Sequence, residues 1–95
     1  MLPIIWLACA RDDLNKILTY IAYESPPAAR RMKKFLEDSV LPLAEHPYLY
    51  RQSEKVPGLQ EVLAHPNYLI LYRVTKTQIE ITSVVHARRK FPIST

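Results

Sequence analysis

His65, Arg73, His86 and Arg88, all in the second half of the chain, are the residues best suited to chemistry on a nucleic acid. Cleaving an RNA strand takes a base for the 2′-hydroxyl proton, an acid for the leaving oxygen and cations for the phosphate charge. These four side chains contain all three. On a strand, side chains repeat every two residues, so His86 and Arg88 share a face, and Arg73 could lie opposite them on a neighbouring strand. The same residues have a plainer use. Arg73 could pair with Glu61 or Glu80, and His86 could bond to backbone. Residue type alone leaves both readings open.

Other chemistries find little support. His46, His65 and His86 lie far apart and outside any metal-binding spacing, so no metal is expected. The chain has one glycine, which excludes a glycine-rich phosphate loop, and no cofactor is expected. Cys9 sits among Leu7, Ala8 and Ala10 and reads as a buried small hydrophobe, and a lone cysteine suits a reducing compartment. Base stacking would use Tyr48, Tyr50, Tyr68 and Tyr72, although Tyr68 and Tyr72 alternate with core residues.

The chain of 95 residues is 48% hydrophobic, enough for the core of one small domain spanning residues 1–95. The net charge of +4 is unevenly placed. Residues 1–47 hold six basic and six acidic side chains, whereas residues 48–95 hold seven and three. A basic half favours a negatively charged partner, nucleic acid or acidic protein, or serves only solubility. The apolar start, MLPIIWLACARDD, has no basic leader and reads as a strand rather than a signal peptide. No apolar run approaches the ~18 residues of a membrane span. A cytoplasmic protein without membrane contact is expected.

The elements that must position these residues follow from periodicity. PIIWLA, residues 3–8, reads as a strand. Leu14, Ile17, Leu18 and Ile21 give a first helix over about 9–23, with Asp12 and Asp13 near its positive end. Ser25-Pro26-Pro27 breaks it and starts a second helix over about 27–44, marked by Met32, Phe35, Leu36, Val40 and Leu43. So short a link makes the two an antiparallel hairpin. Residues 45–58 form a long connection. Strands follow at 59–64, 67–74 and 78–87, with Thr75-Lys76-Thr77 as a turn. Residues 67–74 are apolar on both faces, as in a central covered strand. Strict alternation in the last strand puts Ile79, Ile81, Ser83 and Val85 on one face, and Thr82, Val84 and His86 on the other. The expected fold class is α+β: a strand, a helical hairpin, then a three-stranded antiparallel segment completing one mostly antiparallel sheet.

This order, with the pieces HPYLYR, PGLQEVLAHPNYLILYRV and VVHARRKFP, resembles the ParE/RelE superfamily of bacterial type II toxin–antitoxin toxins, the ParE branch most closely. The resemblance covers nearly the whole chain and implies that fold. A ParE-type toxin would not be an enzyme. It would inhibit DNA gyrase and block replication. For this reading the C-terminal residues Arg88, Arg89, Lys90 and Phe91 are the expected target contacts. A RelE-type toxin would instead be a ribosome-dependent endoribonuclease. Arg73 matches the strand arginine of that pattern, and Arg88 or Arg89 its later arginine. Phe91 stands where a catalytic tyrosine belongs and cannot move a proton, although His86 could replace it. The loop before the second strand offers only Arg51 and Lys55 as cations. The resemblance further implies a ParD/PaaA-like cognate antitoxin, expected to cover Leu14, Leu18, Met32 and Phe35 of the hairpin and Leu69 and Leu71 of the sheet. Through that antitoxin the pair would reach operator DNA. A non-toxic basic binding module is the remaining alternative.

Overall fold

The computed structural model describes residues 1–54 and 56–87. Its elements are β1 (Ile4–Trp6), α1 (Ala8–Glu24), α2 (Pro26–Ser39), a 3₁₀ turn (Leu41–Ala44), β2 (Gln60–His65), β3 (Tyr68–Val74) and β4 (Ile79–His86). The strands form one sheet in the order β1-β4-β3-β2. β2, β3 and β4 are antiparallel to their neighbours, and β1 runs parallel to β4, so the sheet is mixed. The helical hairpin covers one face.

Ser25 alone joins the helices. Its N–H closes α1 on the Ile21 carbonyl at 2.9 Å, and its hydroxyl accepts from the Ala28 N–H at 3.2 Å to open α2. Pro26 and Pro27 fill the first two positions of α2, where a missing N–H costs nothing. The second helix stops at Ser39, five residues short of the expected 44. Pro42 cannot donate into an α-helical ladder and disfavours the α conformation in the residue before it. The chain tightens instead into the 3₁₀ turn, which still buries Leu43 completely. Ala44 then accepts from the Leu2 N–H at 3.0 Å, tying the turn to the approach to β1.

Ala10, Leu14, Leu36, Val40 and Leu43 from the helical side pack on Val62, Ile70, Tyr72, Ile79, Ile81 and Val84 of the sheet. Tyr72 is fully buried and donates its hydroxyl to the Pro47 carbonyl at 3.2 Å, which fastens the long connection to the core. Desolvation pushes its pKa from 10.0 up to about 12. The one glycine, Gly58, has φ +86°, a left-handed conformation that turns the connection into β2.

Two one-residue bulges break the expected alternation. In β2, Leu63 pairs with Leu69 but His65 pairs with Tyr68, leaving Ala64 extra. In β4, Ile81 pairs with Tyr72 but Ser83 pairs with Leu71, leaving Thr82 extra. A bulge residue reverses the face of everything after it. Val84 and His86 therefore join Ile79 and Ile81 on the helix side, and Ser83 and Val85 move to the open side. Asp13 was expected to serve the α1 dipole. Because the helix starts at Ala8, Asp13 lies beyond the first turn, and its carboxylate accepts the Val84 N–H just past the bulge at 3.0 Å.

Candidate functional site

Two surfaces hold the side chains that the sequence singles out. The first is the sheet face opposite the helices. β3 contributes Leu69, Leu71 and Arg73 there, β2 contributes Glu61 and Leu63, and β4 contributes Glu80, Ser83 and Val85, by the registers above. Its floor is apolar, and its two described arginines are engaged. Arg51 donates from Nη2 to a Glu61 carboxylate oxygen at 2.9 Å, and from Nε to the same oxygen at 3.3 Å. Arg73 pairs with Glu80, whose second oxygen accepts from Gln78 Nε2 at 2.8 Å. The Gln78 and Arg73 hydrogen bonds hold the Glu80 carboxyl below its ordinary pKa. A shallow hollow of about 190 Å³ lies between Arg51, Glu54, Leu63 and Leu69.

The second surface is a row of rings at the other end of the sheet, on the helix side. Phe35 meets His65 edge-on at 5.5 Å between centroids, His65 meets Tyr68 at 5.7 Å, and Tyr68 meets His86 at 5.6 Å. The bulges at Ala64 and Thr82 assemble this row by turning both histidines to the face that carries Tyr68. His65 Nδ1 accepts from the Asn67 N–H at 3.0 Å, so the proton of the neutral imidazole sits on Nε2.

The four residues proposed for RNA cleavage are thus divided. His65 and His86 flank Tyr68. Arg73 is paired with Glu80 and lies five residues along β3, roughly 17 Å at 3.4 Å per residue, on the opposite face. The expectation that Arg73 lies opposite His86 is corrected, because the register puts Tyr68 there. Arg88 lies outside the described residues, as do Arg89, Lys90, Phe91 and Lys55. Among the described residues, no group of three or more His, Cys, Asp or Glu is placed to hold a metal ion, and no helix is long and apolar enough to cross a membrane.

The six residues expected to meet an antitoxin are not equally available. Leu14 and Leu71 are only 6% and 3% exposed, taken up by the chain's own packing. Leu18, Met32 and Leu69 are half-buried. Phe35 is 50% exposed. Periodicity marks all the hairpin residues as apolar, but it does not separate those facing the sheet from those at its margin. Cys9, expected to be buried, is exposed on α1, and sequence reasoning missed the exposed aromatics Tyr20 and Tyr23 on the same helix. The signal was present: both fall off the Leu14-Ile17-Leu18-Ile21 stripe.

A helical hairpin on one side of a small mixed sheet defines an α+β fold also seen in a chain of the chromosomal ParDE toxin–antitoxin system from P. aeruginosa. The two share a TM-score of 0.78 over 90% of this chain and 96% of that one, at 22% identity. Y4kP of Sinorhizobium fredii, a protein named as a candidate toxin, is 34% identical over 87 residues, 92% of this chain and 90% of that protein. Residues 4–91 match the family described as the ParE toxin of the type II toxin–antitoxin system parDE. The chain belongs to the ParE toxin family.

Proposed function

We propose that the protein poisons DNA gyrase in the cytoplasm and so blocks replication, and that it is not a nuclease. The observation that carries the choice is the separation of Arg73 from His65 and His86. Phosphate cleavage needs a cation and an acid–base pair within reach of one phosphodiester. Of the two arginines that the nuclease reading names, the described one, Arg73, is tied to Glu80 at the far end of β3 and on the other face. The second described cation of the open face, Arg51, is likewise tied to Glu61. Phe91, at the position of a family tyrosine, has no proton to give. Family membership supports gyrase as the target, and the basic run Arg88, Arg89, Lys90 with Phe91 is the proposed contact. Arginine and aromatic residues are common anchors of interfaces.

A ParD/PaaA-like antitoxin is the proposed neutralising partner, and it would carry the pair to operator DNA. Phe35, Leu18 and Met32 on the hairpin and Leu69 on the sheet are its proposed contacts. Leu14 and Leu71 would support that surface from beneath. A disordered antitoxin tail that covers such apolar surface gains the energy to fold.

Inducible expression with DNA and protein synthesis followed separately tests the reading. Early arrest of DNA synthesis, and inhibition of supercoiling by the purified protein, are expected. Early loss of translation with mRNA cleaved on ribosomes would replace it with the ribonuclease reading. Normal growth at full expression would leave only a basic binding module.

A further inference from the structure

β1 ends at Trp6, opposite Ile81, so from residue 82 onward the outer edge of β4 has no strand beside it among the described residues. α1 leans over that edge instead. Asp13, Lys16, Ile17 and Tyr20 follow the i, i+3, i+4, i+7 pattern of one helix face and form one wall of a cleft. Tyr68, Val84 and His86 line the other side. The cleft measures about 550 Å³, within the roughly 300–1,000 Å³ typical of small-ligand sites. It exists because β1 is short and because the Thr82 bulge turns His86 to this side.

Its chemistry is specific. Tyr20 is 76% exposed and presents its ring to whatever enters, facing a side that carries the Tyr68 and His86 rings. The Asp13 carboxylate is committed to the Val84 N–H, whereas Lys16 makes no ion pair with any described residue. Rings on both sides with the Lys16 cation at hand suit a flat aromatic group joined to an anion.

We propose that this cleft binds single-stranded nucleic acid, with one base entering among the Tyr20, Tyr68 and His86 rings while Lys16 takes an adjacent phosphate. Aromatic rings accept any base on its π face, so little sequence preference is expected. A duplex keeps its bases stacked on one another and cannot offer one. An acidic peptide would satisfy the cation but leave the rings without a flat partner. This inference does not rest on gyrase being the target.

Fluorescence anisotropy of labelled dT10 and rU10 with the purified protein tests it, with circular dichroism to check that each variant folds. Saturable binding is expected. Tyr20→Ala should weaken it about 5- to 150-fold, the range for losing one stacked base. Lys16→Gln should reduce the slope of log K against log salt by about 0.7, the share of one phosphate on a single strand. Absence of binding, or binding unchanged in both folded variants, overturns the proposal. So does an abasic decamer or a duplex that binds as tightly, since then only charge is read. Displacement by oligoglutamate or by dTMP at the concentration that works for dT10 overturns it too.

Discussion

Replacing Asp13 by alanine removes the carboxylate that accepts the Val84 N–H. That N–H points away from β3, because the bulge at Thr82 and the end of β1 leave it without a strand partner. A hydrogen bond to a charged group contributes about 1.5–3 kcal/mol, and the half-buried setting argues for the lower end, about 1.5 kcal/mol. For a domain of this size each 1 kcal/mol shifts Tm by roughly 4–8 °C, so a fall of about 6–12 °C is expected. In urea, with a slope near 2 kcal/mol/M, the midpoint should drop by about 0.75 M. Asp12→Ala is the matched control, since Asp12 is an exposed neighbour and should change stability by less than about 0.5 kcal/mol. Asp13→Asn keeps an acceptor without the charge and should fall between the two. Amide exchange at Val84 should speed up in Asp13→Ala before the rest of the sheet is affected. Equal stability of Asp13→Ala and Asp12→Ala, with Val84 still protected, would refute the capping argument.

Ser25→Ala removes the side-chain cap of α2 and should cost about 0.5–2 kcal/mol in a urea titration, more than alanine at the exposed Thr19. Tyr72→Phe should cost about 1 kcal/mol through its bond to Pro47. Because the folded pKa of Tyr72 is raised, its neutral form favours the native state below pH 10, and this contribution is lost as pH rises from 10.0 towards about 12. Stability curves of the native chain should therefore fall more steeply in that window than those of Tyr72→Phe. Phe35→Ala, at a half-exposed position, should leave folding nearly intact but weaken capture by a cognate antitoxin by 10-fold or more in calorimetry. Unchanged affinity would move the antitoxin surface elsewhere.

The element order was readable in the sequence because apolar periodicity is local. Leu14, Ile17, Leu18 and Ile21 mark a helix whatever surrounds them, and Ser25-Pro26-Pro27 encodes its own turn. Most element ends then fell within a residue or two. The failures share a cause. The stripe from Met32 to Leu43 reads as one helix because a 3₁₀ turn can also bury Leu43, and only Pro42 hints at the change. The bulges at Ala64 and Thr82 insert one residue without any compositional mark, and they are decided by how β2, β3 and β4 settle against the helices. Since each bulge reverses the faces after it, the error reached the site. Period-two reasoning set Arg73 opposite His86, while the fold set Tyr68 there, with His65 against the same tyrosine ring. The pairing of Arg73 with Glu80 was readable as one option, because the Thr75–Thr77 turn sets these residues opposite each other.

The pairing of β1 with β4 has a consequence for how the protein forms. Ile4 meets Ile79, 75 positions later in the chain, and the Leu7 N–H reaches the Ile81 carbonyl. Every other strand pairing joins near neighbours through a short turn. Bringing β1 and β4 together carries the largest loop-closure entropy among the described strand pairings, for only three residues of ladder. β1 should therefore dock last during folding and open first in the native state, exchanging its amides ahead of β3 and β4. A nascent chain would carry its helical hairpin early but could not close the sheet until β4 had been made.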